Sequence, residues 1–298
     1  MNRIVSSILL SAFLFLTACG PTSSAETASD SQATYIENKG SDTIVNLALA
    51  WAEQYQSDHP DVRISVTGGG SGTGIAALIN NTVDIANASR QIKSEEVDEA
   101  KSNGVEPVEH IIARDAIAVI VNPENPVNEL TLQQISDIYS GKLTNWSEVG
   151  GEDRPIVRLS RETNSGTHVY FLETVLRLGS KEDKTLFSTN TLLLPSSEGI
   201  IAEVRQNPNA IGYDGLGYVP KDLKMIAIAK EAGGAYVLPS IATVNDKTYA
   251  IARDLYMYTN GEATGIVKEY LDWILSPEAQ EIVVELGFVP ALNPNPIP

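Results

Sequence analysis

The sequence predicts an α/β fold, and three features of its 298 residues support this prediction. From residue 35 onward, short apolar runs alternate with amphipathic helical stretches, an order typical of helices packed against a sheet. Several helical stretches end at a glycine, the residue most common just after a helix C-terminus. Hydrophobic residues make up 43% of the chain, which is enough for a folded core without cross-links.

The first 34 residues differ from the rest of the chain. Residues 8–16, ILLSAFLFL, form an apolar run that is too short to span a membrane and is typical of a signal peptide. The motif Leu-Thr-Ala-Cys ends at Cys19, the only cysteine, and resembles a bacterial lipobox. We therefore expect residues 1–18 to be a lipoprotein signal peptide, Cys19 to carry lipid and residues 19–34 to be a flexible tether. An ordinary signal peptide beside an unrelated cysteine is the alternative.

In the first half of the body, the spacing of apolar residues predicts helices and strands in turn. Ile44, Leu47, Trp51 and Tyr55 share one face of a helix. The predicted elements are helix 43–57, strand 62–66, a helix within 68–81, strand 83–89, helix 94–102 and strand 116–122.

The second half continues in the same way. Ser276 and Pro277 form a helix start with proline at the first helical position, and Gly287 is expected to end that helix. The predicted elements are helix 131–141, helix 165–178, a helix, turn and strand within 196–213, and this last helix.

The charge balance limits the classes of partner. The formal net charge is −17, from 38 acidic and 21 basic residues. Proteins that bind nucleic acid need clustered positive charge, so no nucleic-acid partner is expected. The overall field repels anions, and any bound anion must therefore be held by a few local donors.

Three similar segments supply such donors. Residues 40–43, 70–74 and 164–167 each combine glycine or asparagine with hydroxyl residues at a predicted helix start, and Arg161 precedes the third. A helix start has free N–H groups and partial positive charge, and glycine permits close approach of a ligand. Together with an arginine they predict an anion site. The simpler alternative is that the hydroxyls only cap helices.

Two better-known phosphate motifs do not fit these segments. Residues 70–74, Gly-Ser-Gly-Thr-Gly, lack the Gly-Lys-Ser/Thr ending of a P-loop. The same residues also lack the spacing and the later acidic residue of a dinucleotide fingerprint. A nucleotide site of either kind is therefore not expected.

Four blocks between about residue 36 and residue 292 resemble one bacterial family in their order and content. They are GSDTIVNLALAWAEQY, GGGSGTGIAALINNTVDIANASR, IYSGKLTNW and RETNSGTHVYF. The family is the PstS-type phosphate-binding lipoproteins of bacterial phosphate import. The resemblance implies a type II periplasmic-binding-protein fold, in which two α/β lobes are joined by two crossover strands and a ligand lies in the cleft between them.

The resemblance also implies lobe limits and ligand contacts. Lobe 1 is expected to comprise residues 35–117 and 252–298, and lobe 2 residues 118–251. The residues expected to hold phosphate are Thr43, Ile44 (through its N–H), Ser71, Arg161, Ser165, Gly166 and Thr167, with Ser89 as a further donor.

One position departs from the family pattern. Many members have an aspartate after the serine that matches Ser89, and it accepts the proton of hydrogen phosphate. This chain has Arg90 there, which would help to bind any oxyanion and removes the expected acceptor. Asp115 is our candidate for a replacement acceptor, and it is also placed to pair with Arg90. A structural salt bridge or turn is the alternative role for Asp115.

The predicted function is capture of inorganic phosphate outside the cytoplasm for an ABC permease. The protein is expected to be a monomer that meets the membrane only through its lipid, with no catalytic residue, metal or cofactor. Arg90 motivates one alternative, a receptor for sulfate, molybdate or another tetrahedral oxyanion. Ser165 with His168, or Ser71, would serve a second, an envelope phosphohydrolase or esterase. A sensor receptor without transport is a third.

Overall fold

The computed structural model describes residues 33–291. The predicted signal peptide, Cys19 and the tether up to residue 32 lie outside the described residues. The strands are β1 (Thr34–Gly40), β2 (Val62–Thr67), β3 (Ile85–Ala88), β4 (Pro107–Val121), β5 (Glu129–Thr131), β6 (Val157–Arg161), β7 (Leu192–Leu194), β8 (Ala210–Gly215), β9 (Lys224–Met225), β10 (Ala227–Ala229), β11 (Ala252–Asn260) and β12 (Val289–Pro290). The α-helices are α1 (Asp42–Asp58), α2 (Ser71–Ile79), α3 (Ser94–Ser102), α4 (Leu132–Ser140), α5 (Gly166–Phe171), α6 (Ser197–Gln206), α7 (Ile241–Asn245), α8 (Gly265–Ile274) and α9 (Pro277–Glu285).

A single run of paired strands crosses the molecule. Its order is β2-β1-β3-β11-β4-β8-β6-β7, with β9 and β12 also paired to β4. The pairs β1–β2, β1–β3, β6–β7 and β6–β8 are parallel, whereas β11 and β4 run antiparallel to their neighbours and to each other. The predicted α/β class is therefore confirmed, with parallel sheets on both sides of a central antiparallel pair.

Strand β4 joins the two halves of the molecule. Residues 107–116 of β4 pair with β11, and residues 117–121 pair with β8. One strand thus belongs first to the lobe of β1–β3 and then to the lobe of β6–β8. The predicted lobe limits stay a prediction, and the change of partner lies between Ala116 and Ile117.

Each lobe has its own apolar core. In the first lobe, α1 turns Ile44, Leu47 and Trp51 against β1, β11 and α9, and all three side chains are buried. In the second lobe, α4 and α5 pack against β4 and β8. Ring stacking of Phe171 on Tyr213, with ring centroids 3.6 Å apart, fixes α5 on this core. The site residues described below rest on these two cores.

The predicted elements differ from the structure at two places that matter for the site. The strand predicted at 116–122 is the end of the 15-residue strand β4. The earlier half of β4 was not predicted, because it carries charged residues and lacks a continuous apolar run. The helix predicted at 165–178 is a six-residue α-helix that continues as a π-helical turn, Leu172–Leu176. In addition, β1 begins at Thr34, which was expected to be the last residue of the tether.

Candidate anion-binding site

The first turns of α1 and α5 meet between the lobes. The Thr43 hydroxyl oxygen lies 2.8 Å from that of Thr167, and both residues are at most 1% exposed. Arg253 of β11 donates from Nη2 to Thr167 Oγ1 at 2.9 Å and lies 3.4 Å from Thr43 Oγ1. Two hydroxyls and one guanidinium therefore converge at a buried point, and Thr43 and Thr167 are two of the predicted residues.

The start of α2 lies beside this point. Ser71 Oγ accepts from the Ser89 N–H at 3.0 Å and lies 3.2 Å from Ser89 Oγ. A Cβ atom added to Gly166 would lie 2.5 Å from Ser89 Oγ and closer still to Ser71 Oγ. Only glycine at position 166 thus allows α5 to come this close to the two serines. Ser71, Ser89 and Gly166 are three more predicted residues that the structure brings together.

Arg161, at the end of β6, is held by a network that spans the two lobes. Its Nη2 donates to Asp42 Oδ2 at 2.6 Å, and its Nη1 donates to Ser197 Oγ at 3.0 Å. Ser197 donates in turn to Asp214 Oδ1 at 3.0 Å. Burial raises the pKa of Asp214 to about 6, against the nearby positive charge of Arg161. Arg161 is only 1% exposed, so its charge is directed at these partners rather than at solvent.

Arg90 lines the open cleft between the lobes beside Arg253, but its guanidinium is bonded to Glu96 and to no member of this cluster. Its two terminal nitrogens donate to the two oxygens of Glu96 at 2.6 and 2.7 Å. This pair lies within the first lobe, at the start of α3, and neutralises the charge of Arg90. The expected contact between Arg90 and Asp115 is absent from the described part of the chain, because Glu96 is the partner of Arg90.

Asp115 instead pairs with Arg253. The side chains of Asp115 and Arg253 are 0% and 2% exposed, and Arg253 Nη2 lies 3.0 Å from Asp115 Oδ2. The Leu216 N–H donates to the other carboxylate oxygen at 3.3 Å. Complete burial raises the pKa of Asp115, although the Arg253 charge and its hydrogen bonds act in the opposite direction. Asp115 reaches Thr43 and Thr167 only through the Arg253 guanidinium.

Two predicted donors have local roles in this conformation. The Ile44 N–H donates to the Ser41 carbonyl oxygen at 3.1 Å, within the first turn of α1. Ser165 is the N-cap of α5 and accepts from the Thr167 N–H at 3.2 Å. His168 lies 3.0 Å from Ser160 Oγ, not from Ser165, and burial lowers its pKa. The Ser165–His168 pair of the hydrolase alternative is therefore not formed.

The glycine-rich segment before α2 closes one edge of the interface. The Asn164 carbonyl oxygen accepts from the Gly72 N–H at 3.0 Å, and Asn164 Nδ2 donates to the Gly69 carbonyl oxygen at 2.9 Å. Gly70, with φ of 91°, would bring a Cβ atom to 2.9 Å from the Asn164 carbonyl oxygen. Here glycine permits backbone from the other lobe to come close.

On another side, the space between the lobes stays open. A cleft of about 810 Å³ lies between the start of α3 and the π-helical turn. Arg253 and Tyr170 line it, and Arg253 therefore separates the cleft from the buried hydroxyls.

Sequence analysis missed four members of the cluster, Asp42, Ser197, Asp214 and Arg253. Asp42 is 119 residues from Arg161, and Arg253 is 138 residues from Asp115. Asp42 follows Ser41 in a segment already chosen as a helix start, which was a usable signal. No local pattern marks Arg253.

The sequence profile of the PBP superfamily domain matches residues 25–278. The phosphate-binding protein PstS of Bacillus subtilis is 32% identical over 302 aligned residues, which cover 98% of this chain and 95% of that protein. The chain belongs to the PBP superfamily and, within it, to the PstS family. PstS of Pseudomonas aeruginosa is also 32% identical, over 86% of this chain and 82% of its own length.

A solved structure agrees with this assignment. It is a Clostridium perfringens protein with bound phosphate, assigned to a phosphate ABC transporter as its substrate-binding protein. It is 34% identical, has a TM-score of 0.77 and is matched over its whole length by 87% of this chain. The predicted type II periplasmic-binding-protein fold is thereby confirmed.

Between residues 33 and 291, no helix is long and apolar enough to cross a bilayer. No group of three or more metal-ligating side chains lies there in a suitable arrangement.

Proposed function

We propose that this protein binds inorganic phosphate between its two lobes. One observation carries the proposal: hydroxyls and an arginine from separate segments, Thr43, Thr167, Ser71 and Arg161, meet at the buried contact of the lobes. The PstS relatives and the phosphate-bound structure support phosphate as the ligand. Ile44, Ser89, Ser165 and Gly166 complete the proposed set.

Binding requires the lobes to separate first. The hydroxyls of Thr43 and Thr167 are in direct contact at 2.8 Å, and an anion between them needs that space. The bound anion then separates the Thr43 and Thr167 hydroxyls, and it accepts hydrogen bonds from each lobe in place of their direct contact. Because these donors come together only when the lobes approach, phosphate favours the closed form over the open one.

Asp115 is the proposed acceptor of the phosphate proton, and Arg90 is assigned no contact with the ligand. Glu96 neutralises the positive charge of Arg90, so Arg90 gives the site no additional affinity for sulfate. Asp115 is buried and lies behind Arg253, so its contact with the phosphate proton requires the bound anion to displace the Arg253 guanidinium from one carboxylate oxygen. A carboxylate there repels sulfate, which has no proton to donate to it. Asp115→Asn should therefore reduce the preference for phosphate.

The closed, loaded protein is proposed to dock on the membrane subunits of an ABC phosphate importer. It would act outside the cytoplasm, held at the membrane by lipid on Cys19, as a monomer that performs no chemistry on its ligand. The Clostridium perfringens neighbour, whose name assigns it to a phosphate ABC transporter, supports this role. Metabolic labelling with a radioactive fatty acid tests the anchor, since Cys19→Ala should abolish incorporation.

The direct test of ligand binding is calorimetric titration with phosphate after bound phosphate has been removed. Arg161→Gln removes the charge-assisted hydrogen bonds that the buried guanidinium would donate to phosphate, so we expect binding to weaken roughly 100-fold. Arg205→Gln is the matched control, because its partner Asp222 is exposed and the pair lies outside the cleft. If Arg161→Gln binds as tightly as the unmodified protein while the thermal midpoint is retained, the proposed site is wrong.

A further inference from the structure

Crossover strand β11 places an arginine at the contact between the lobes. Arg253 stands opposite Asp115 of β4 in the strand register, and its side chain is 2% exposed. A guanidinium this deep in a protein needs several acceptors, because its charge is always present.

The acceptors of Arg253 come from four parts of the chain. Nη1 donates to the Ser89 carbonyl oxygen at 2.8 Å, and Nη2 lies 3.0 Å from Asp115 Oδ2. Nη2 also donates to Thr167 Oγ1 at 2.9 Å and lies 3.4 Å from Thr43 Oγ1. Ser89 and Thr43 belong to the first lobe and Thr167 to the second. The guanidinium therefore touches both lobes from a strand that joins them.

Neutralising Asp115 does not account for this arrangement. The Nε contact with Asp115 is 3.4 Å long, so the pair is not the close parallel fork that arginine and carboxylate usually form. Nη1 turns away to Ser89, and Nη2 is shared with two hydroxyls that are themselves proposed ligands of phosphate. The guanidinium is thus directed at the ligand position as much as at the acid.

We propose that Arg253 is a second arginine of the anion site and that it couples anion binding to lobe closure. This inference rests on the proposed function. When the lobes separate, Arg253 keeps Ser89 and Asp115 but loses Thr167, which moves with α5. The anion takes the freed donor of Arg253 in the open form. Closure then returns Thr167 to the other side of the same anion.

The test separates this role from neutralisation of Asp115. Phosphate affinity is measured for Asp115→Asn and for the double variant Asp115→Asn with Arg253→Gln. Without the acid there is no charge left to neutralise, so any further loss belongs to Arg253 itself. We expect the double variant to bind phosphate at least tenfold more weakly than Asp115→Asn. Equal affinity within twofold would overturn the proposal.

Small-angle X-ray scattering at saturating phosphate provides the second measurement. The radius of gyration should fall on addition of phosphate in Asp115→Asn and fall less in the double variant. An equal fall in both would overturn the coupling to closure. Arg114→Gln, on β4 and bonded to Asn245 outside the site, is the control and should bind as the unmodified protein does.

Two further results keep the test decisive. If the double variant does not fold, Arg253→Lys replaces it, because lysine keeps the charge but cannot reach Ser89 and both hydroxyls at once. At least fivefold weaker binding is then expected, and unchanged binding contradicts the proposal.

If the unmodified protein gives no phosphate heat, the proposed function itself fails and this inference fails with it. If the unmodified protein binds phosphate normally but Asp115→Asn and the double variant bind it with equal affinity, only this inference is wrong and the proposed function stands.

Discussion

At the scale of single residues, acids that lie close to two buried arginines determine the chemistry of the interlobe contact. Asp42 holds Arg161, Asp115 holds Arg253, and Asp214 lies behind Ser197. Each pair is close to neutral, so the site gains its affinity for anions from directed donors rather than from net charge. This explains how a protein with a net charge of −17 can hold an anion.

Asp214 gives the cluster a pH-dependent contribution to stability. In the folded protein the pKa of Asp214 is raised to about 6, whereas the ordinary pKa, expected in the unfolded chain, is 3.8. Between these values the folded form binds more protons than the unfolded chain, so the free energy of unfolding falls as the pH rises. Asp214→Asn removes this fall. Relative to the unmodified protein, the variant should gain about 2 kcal/mol in free energy of unfolding between pH 4 and pH 7.5.

Urea denaturation at the two pH values measures that gain. Asp222→Asn is the control, because the hydrogen bonds from Arg205 lower the pKa of Asp222 below its ordinary value of 3.8. Its titration therefore lies below both pH values, and its stability difference from the unmodified protein should not change between them. A stability difference between Asp214→Asn and the unmodified protein that does not change with pH would contradict the prediction.

At this scale the sequence predicts the donors better than their partners. Ser71, Ser165 and Thr167 lie in short glycine–hydroxyl segments whose chemistry is local, and the structure brings them to the interface. Arg161 was found for the same reason. The further pairing considered for Asp115, with Arg90, is not formed, because Glu96, six residues after Arg90, is the partner of Arg90. Arg253 was missed because its contacts depend on strand pairing between distant segments.

At the scale of elements, three helix starts converge on the interface. α1 and α2 come from the first lobe and α5 from the second, and each begins where its preceding strand ends or shortly after. The periodicity of apolar residues predicts these helices well, since it reflects burial against a core. The π-helical turn after α5 and the first half of β4 were not predicted, because tertiary contacts rather than local pattern determine them.

Gly166, the first residue of α5, tests whether close approach of this helix is needed. Gly166→Ala adds a Cβ atom that collides with Ser71 and Ser89 of the other lobe. We expect at least tenfold weaker phosphate binding, because full closure becomes impossible. The thermal midpoint should be unchanged or slightly higher, since alanine favours a helix over glycine by about 0.5–1 kcal/mol.

Gly199→Ala in α6 is the matched control. The nearest atoms to its added Cβ lie 3.5 Å away, within the same lobe, so only the helix preference changes. This variant should bind phosphate normally. Normal binding by Gly166→Ala as well would contradict the requirement for close approach.

At the scale of the whole molecule, β4 and β11 decide how the lobes can move. Both strands lie between the two parallel sheets, and Arg253 and Asp115 pair across them. Closure at one edge is supported by hydrogen bonds of Asn164 with Gly69 and Gly72, while the opposite cleft stays open. The two-lobed architecture was implied by family resemblance. The alternation of elements alone gave only the α/β class, because crossover strands leave no local signature.

Calorimetric titration of the phosphate-free protein with phosphate, repeated in a hundredfold excess of sulfate, tests the central claim most directly. The claim is that a protonated tetrahedral anion is captured between the lobes beside a buried acid. It predicts one phosphate per molecule, with the same affinity in both titrations. Absence of phosphate heat, or its disappearance in sulfate, would contradict the claim.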